Sequence, residues 1–301
     1  MYLTAILNPN ADRGRTAKLA EAFQRASVGR FELKLLKTTR RGEAVELAEQ
    51  AAADSAAVIV IGGDGTVHEV ANGLMRVPAD RRPQLGVIPA GSGNDFAHAL
   101  SIPKDLQRNI EIIARGGTCA VDVGDVRTGS GLQRYCINNL GTLLEGQINR
   151  ASHEYTWPRG AGLYLRAVLQ TLLRPAQVAH LTLVRDGQPL QRDAVLLSLG
   201  NGPRSGGQFV MVPGACADDG RFNYILARPM NRLKLLWRAR HALRGERIPD
   251  PRFEYGEFST LTIRSDIPLI AHIDGEPWLA LEDAVRELEV NVLPSALNVL
   301  A

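Results

Sequence analysis

The chain has no uninterrupted apolar run of about 18 residues, the length a membrane-crossing helix needs. Its opening stretch, MYLTAILNPNADRGR, has no basic segment followed by a long apolar one and a small-residue cleavage site, so no secretory signal is expected. Cysteine is scarce: Cys119, Cys136 and Cys216 lie far apart and form no CxxC pair. They read as reduced thiols of a cytoplasmic protein. Two nucleotide signatures are also missing. No GxxxxGK[ST] occurs, and no GxGxxG follows the first strand-like run, which disfavours Walker-type ATPases and Rossmann dehydrogenases. The net charge of +3 is too mild to imply nucleic acid by itself. These absences leave a soluble protein that at most touches a membrane surface.

What is present is enough apolar material, 45% of 301 residues, for one large domain or two ordinary ones. The first third alternates strand-like and helix-like stretches. Tyr2 to Leu7, Phe31 to Lys37, Ala57 to Ile61 and Leu85 to Ile88 read as strands. Arg15 to Ala26, Glu43 to Ala53 and the stretch from Thr66 to Met75 read as helices; Val67, Val70, Ala71 and Leu74 recur at i, i+3, i+4 and i+7. This order predicts an α/β domain over 1–124 with a mostly parallel sheet. After about Val121 strand-like pieces follow one another, and Asp186-Gly187 between two of them is a hairpin signal. An antiparallel β-rich second domain is therefore expected over 125–285, with helices near 159–173 and 231–244. Leu288, Val290 and Val292 alternate as a half-buried strand would, and 286–301 can pack back on the first domain.

The stretch VIVIGGDGTVHEVANGL places Gly62, Gly63 and Gly65 around Asp64, between a buried strand and a helix. Glycine lets a backbone lie against a phosphate and point successive N–H groups at it. A helix N-terminus just behind adds a favourable dipole. Asp64 fits no phosphate contact; it suits Mg²⁺ or a sugar hydroxyl, or it is an N-cap in a plain tight turn. GSGND, Gly91 to Asp95, repeats the pattern after the next strand. Loops after parallel strands emerge on one edge of the sheet, where such folds bind ligands. The loops from Asn8 and from Thr38 should reach the same edge, and together the four look like a nucleotide site.

GGDGTVHEVANGL followed by LGVIPAGSGNDFA resembles the catalytic domain of diacylglycerol kinases, in particular the bacterial soluble lipid kinases. VPGACADDGRFNYIL (212–226) looks like that family's structural magnesium loop, and IDGEPW (273–278) like its Asp-Gly-Glu element. The resemblance implies an NAD kinase/diacylglycerol kinase-like fold of two domains with the nucleotide in the cleft between them. ATP would be the donor, Mg²⁺ the metal and a lipid hydroxyl at a membrane surface the acceptor. It places the nucleotide on Asn8, Thr38, Gly62, Gly63, Asp64, Gly65, Thr66, Glu69, Gly91, Ser92, Gly93 and Asn94. Asp64 and Asp95 would organise the catalytic Mg²⁺. Glu276 would be the general base, with Asp274 close by. A structural Mg²⁺ would sit on the Asp219 carboxylate and the backbone carbonyls of Cys216 and Arg221. The chain departs from the family pattern at His68, where Asn is usual, and at Ser92, where Thr is commoner.

The segment from Arg228 to Arg247 carries seven Lys/Arg and one Glu. Leu235, Leu236, Ala239, Ala242 and Leu243 can share one helical face, with Lys234, Arg238 and His241 opposite. That pattern suits a helix whose apolar face packs on a sheet, and a peripheral contact of 228–247 with the inner face of the membrane stays open. Nucleic acid is disfavoured, because Trp237 alone supplies an aromatic there. An NAD kinase shares GGDGT, and a nucleotide-binding regulatory module without turnover is a third reading. The sequence leaves open the acceptor among diacylglycerol, monoacylglycerol, sphingoid base, ceramide and phosphatidylglycerol, and also the oligomeric state.

Overall fold

A computed structural model describes residues 2–9, 15–154, 166–171 and 177–301. The chain divides into two compact units, 1–123 with 294–301, and 124–293.

The first unit is an open α/β layer. Its strands β1 (Tyr2–Leu7), β2 (Glu32–Lys37), β3 (Ala57–Gly62) and β4 (Gln84–Pro89) lie in the order β2-β1-β3-β4. All three pairings are parallel, as the alternating pattern implied. β3 reads Ala-Val-Ile-Val-Ile-Gly and is buried along its whole length, the signature of a strand covered on both faces. Helices α1 (Arg15–Ser27), α2 (Glu43–Ala51), α3 (Asp64–Met75), α4 (Asp95–Ala99) and α5 (Leu106–Arg115) complete the layer. α5 lies outside the sequence expectation, although Asp105 accepts from the Arg108 amide as its cap and Gly116 ends it at φ 69°. α2 and α3 pack closely at Gly73, where a β-carbon would stand 2.2 Å from the carbonyl oxygen of Val45.

The second unit is a β-sandwich. The strand β5 (Thr118–Thr128) enters it and pairs with β6 (Gln133–Cys136). One antiparallel sheet runs β14-β13-β10-β7-β16-β17. Its members are β7 (Asn139–Leu143), β10 (Leu196–Gly200), β13 (Phe222–Ala227), β14 (Phe253–Phe258), β16 (Ala271–Ile273) and β17 (Glu276–Leu279). The facing layer contains β8 (Ala179–Arg185), β9 (Gln188–Ala194), β15 (Thr260–Ser265) and the first half of β18 (Glu287–Leu300). β8 and β9 turn at Asp186-Gly187, both at positive φ, the primed turn that dipeptide favours. β11 (Arg204–Ser205) and β12 (Phe209–Val210) form a short ribbon. Leu140, Leu199, Phe222, Phe258, Leu261 and Leu288 meet in the core between the sheets.

Helix α6 (Leu144–Glu154) follows β7 directly and lies outside the sequence expectation. Of the helix expected over 159–173, residues 166–171 are helical and the remainder lies outside the described residues. The basic helix spans Arg232–Leu243, capped by the Asn231 side chain. Leu235 and Ala242 are buried as anticipated, but Leu243 is exposed. Arg238 and His241, expected in water, are largely covered. Arg238 lies 3.3 Å from the buried Asp250, which Arg252 also holds at 2.7 Å. Among the described residues no helix is long and apolar enough to cross a membrane.

The Arg252 hydrogen bonds, aided by the charge of Lys234, hold the Asp250 carboxyl well below the usual carboxylate range despite its burial. A depressed folded-state pKa contributes stability above about pH 4 that is lost as pH falls towards the folded value. Asp250→Asn is therefore expected to lower the urea midpoint at pH 7. The gap to wild type should narrow in urea titrations run below about pH 4.

Candidate functional site

Parallel pairing puts the carboxyl ends of β1 to β4 on one edge, so the residues that follow them share it. Asn8 follows β1, and Thr38, buried, follows β2 and donates its amide to the Leu7 carbonyl at 2.9 Å. Gly63 and Asp64 follow β3, and Gly91 to Asp95 follow β4.

The two glycine loops touch. A β-carbon on Gly91 would lie 2.6 Å from the α-carbon of Gly63, and one on Gly63 would lie 3.0 Å from that of Gly91. Neither neighbour is a side chain that could swing away. Asp64 Oδ2 accepts the Asn94 amide at 2.7 Å, and Asn94 sits in the left-handed region at φ 55°. The Asn94 side chain closes its own loop: its Oδ1 accepts from Gly91 N at 2.8 Å and its Nδ2 donates to Gly91 O at 2.7 Å. Gly63, in extended conformation, is the N-cap of α3, and Asp64 is that helix's first residue, where a carboxylate is favoured by the dipole. Thr66 packs against Gly62, whose β-carbon would stand 2.8 Å from that of Thr66. Gly65 and Gly93 are half-buried and Ser92 is exposed, while Asp95 is buried at the start of α4.

Two residues read as nucleotide contacts have other work in this edge. Glu69 accepts from the amides of Gly42 and Ala44 at 2.9 and 3.2 Å, which ties α3 to the first turn of α2. Asn94 is committed to the loop as described. His68 is buried, with Nδ1 3.4 Å from Asn72 Nδ2.

In the second unit Asp274 and Gly275 are the two central residues of the β16–β17 hairpin, both at positive φ. The buried Asp274 carboxylate accepts from the amides of Ile137 (3.1 Å), Asn138 (2.8 Å) and Asn139 (3.0 Å). Its environment is that of a structural anchor for the β6–β7 link. Burial, with the Asp274 charge beside it, pushes the Cys136 thiol well above its ordinary range. Glu276, half-buried, is the first residue of β17, opposite Ile273.

Sequence reasoning missed the buried pair behind this turn. Glu145 Oε1 lies 3.4 Å from His272 Nε2 and accepts from Ser205 Oγ at 2.7 Å. Burial opposes charge on Glu145, but His272 and Ser205 hold its carboxyl below the usual range. The signal was an EGQIN segment with polar residues at i and i+4, visible only once that stretch is read as a helix.

Cys216, Asp219 and Arg221 lie in an exposed turn before β13. Asp219 Oδ1 accepts the Arg221 amide at 2.9 Å, and the Arg221 guanidinium reaches Glu257 at 2.9 Å. Among the described residues no group of three or more His, Cys, Asp or Glu side chains could hold a metal ion. The second unit also has an apolar cavity of about 80 Å³, lined by Leu144, Ile148, Phe209, Leu236, Phe253 and others, with Glu145 at its wall.

This chemistry meets its relatives in three comparisons. Residues 2–126 match the family model described as the diacylglycerol kinase catalytic domain, and 140–301 match the YegS C-terminal NAD kinase beta sandwich-like domain. The diacylglycerol kinase of Bacillus subtilis (strain 168) is 31% identical over 277 residues, 90% of this chain and 88% of that protein. That of Staphylococcus carnosus (strain TM300) is 30% identical, covering 90% and 87%. A solved structure of a diacylglycerol kinase from Bacillus anthracis strain Sterne superposes with a TM-score of 0.74 at 20% identity, covering 99% and 96%. The chain belongs to the diacylglycerol kinase family. It is a kinase, with the two-part fold that its motifs implied.

Asp274→Asn removes one charged acceptor from three backbone donors, and each hydrogen bond to a charged group is worth about 1.5–3 kcal/mol. Urea unfolding should show a loss of at least that size, so any fall in activity would come with a fall in stability.

Proposed function

We propose that the chain transfers the γ-phosphoryl group of ATP, accompanied by Mg²⁺, to the hydroxyl of diacylglycerol or a closely related lipid. The observation that carries this reading is the Asp64–Asn94 bond. It holds two glycine-bearing turns and two carboxylates together on the edge where open α/β sheets bind ligands. The names of the relatives support a lipid acceptor, and so does an apolar cavity in the second unit.

Phosphoryl transfer asks mainly for positioning and neutralisation of charge. The loop residues Gly62, Gly63, Gly65, Thr66, Gly91, Ser92 and Gly93, with Asn8 and Thr38, take the nucleotide; the Gly91 and Thr66 N–H groups are held by Asn94 and Gly63, so those two residues serve by their place in the loops. Glu69 and Asn94 act on it through the loops they hold. Asp64 and Asp95 are hard oxygen donors suited to Mg²⁺, which keeps several waters and phosphate oxygens in its shell; bound there, the ion would neutralise phosphate charge. Glu276 accepts the proton of the lipid hydroxyl as its oxygen bonds to the γ-phosphorus. The bond from that phosphorus to the β–γ bridging oxygen breaks, and ADP leaves with the oxygen. A second Mg²⁺ fits the Asp219 carboxylate with the carbonyls of Cys216 and Arg221, since Arg221's charge already has Glu257 as partner.

The basic helix gives the enzyme a way to its substrate. Leu233 is 77% exposed, Trp237 50% and Leu243 52%, and the Arg240 guanidinium lies 3.8 Å from the Trp237 ring centroid. Apolar side chains edged by arginine suit an anionic bilayer surface.

The deciding assay follows labelled γ-phosphate from ATP·Mg²⁺ to a panel of lipids in mixed micelles, with NAD in parallel. Label is expected on diacylglycerol or a near relative, reduced about 10²–10⁴-fold in Glu276→Gln; label on NAD alone would overturn the lipid reading. In flotation with phosphatidylglycerol-containing vesicles, Arg240→Ala should weaken association about fivefold, the equivalent of about 1 kcal/mol per basic residue. Equal binding to pure phosphatidylcholine vesicles would refute the contact.

A further inference from the structure

The Asp274-Gly275 turn that delivers Glu276 is gripped from one face of α6. Asn149 Nδ2 donates to the Gly275 carbonyl at 2.7 Å. On the other side of the same residue, Gly275 N donates to His272 Nδ1 at 3.3 Å. An imidazole nitrogen that accepts carries no hydrogen, so the ring hydrogen is on Nε2. That nitrogen faces Glu145 Oε1 at 3.4 Å, and both side chains are 2% exposed. Glu145 and Asn149 are four residues apart and therefore neighbours on the helix surface.

The sheet is built to admit this pair. His272 on β16 and Ser198 on β10 flank Gly141 of β7 in register. A β-carbon on Gly141 would lie 2.4 Å from His272 Nε2 and 2.5 Å from Glu145 Cδ. α6 itself lies so close that a β-carbon on Gly146 would stand 2.4 Å from the Ile270 carbonyl oxygen. A buried carboxylate beside a buried histidine is costly unless geometry holds it, and an apolar pair would fill this space without that cost.

We infer that His272 is a positioning residue for Glu276: oriented by Glu145, it fixes the Gly275 amide, and with Asn149 it sets where the Glu276 carboxylate is delivered. The inference rests on Glu276 being the proton acceptor. Misplacement of a reacting group by about 1 Å can cost about 10²-fold in rate. The effect therefore falls on kcat and not on the binding of either substrate.

Two variants separate the two nitrogens. In His272→Asn the side-chain oxygen takes the place of Nδ1 and keeps the Gly275 bond. In His272→Gln the amide nitrogen takes the place of Nε2, keeping the Glu145 contact and losing Gly275. In the micellar phosphotransfer assay His272→Gln is expected to lose about 10–100-fold in kcat, with KM for ATP and for diacylglycerol unchanged. His272→Asn should retain more than a third of the wild-type kcat. Asn149→Leu removes the other hold without burying a charge and should also lower kcat alone, which keeps the test open if a His272 variant fails to fold. Equal kcat in the Asn and Gln variants, or losses in KM that track losses in urea stability, would overturn the inference. Wild-type kcat in Glu276→Gln would instead remove the proton-acceptor reading; an inactive Glu276→Gln beside a fully active His272→Gln would remove only the positioning role.

Discussion

The close approach of Gly63 to Gly91 is the constraint on which the first unit's site depends. Two turns from neighbouring parallel strands pass at backbone distance, so neither position admits a side chain. Only then can Asp64 reach the Asn94 amide and Asn94 close its own loop. The carboxylate thus bridges the loops, and Asn94 donates its amide to it from the left-handed region. Gly63 and Gly91 are each required by the other's backbone, whether or not a phosphate also lies against them. A pair of turns locked in this way presents its amides without having to organise them when a ligand arrives.

Much of this was legible in the sequence because the physics is local. The parallel unit follows from strand–helix alternation, and its edge follows from the parallel pairing. The Asp186-Gly187 hairpin is written in two residues. The family motifs fall on the loops after β3 and β4 and on the β16–β17 turn. What stayed hidden depends on partners distant in sequence. Nothing near Glu69 says that it will meet the amides of Gly42 and Ala44, and nothing near Asp274 announces the amides of 137 to 139. Glu69 was read as a nucleotide contact and Asp274 as a neighbour of the proton acceptor; tertiary structure adds backbone donors to both.

The helix α6 was hidden for a different reason. Its run LEGQINRASHE follows a strand with no break, and Leu143, at φ 58°, makes the turn without the glycine that such a conformation normally requires. The chain therefore offered no punctuation, and with the helix went the i, i+4 relation of Glu145 and Asn149. α5 shows the converse. Its Asp105 cap and Gly116 stop are ordinary signals that sequence reasoning could have used. On the basic helix the periodicity was right and the charges misled, since Arg238 turns inward to a carboxylate at Asp250, beyond the stretch whose charges were weighed.

The pairing of β16 with β17 shifts register between Ala271 and His272, so that His272 faces Pro277 while Ala271 faces Leu279. An extra residue, Trp278, is thereby inserted in β17. A regular strand alternates its side chains with a fixed phase, which binds every residue to the orientation of the next. The insertion breaks that phase between Glu276 and Leu279. Leu279 at the end of the strand is buried, while Glu276 at its start is half-buried beside the turn. One short strand thereby joins a half-open turn at its first residue to the hydrophobic core at its last.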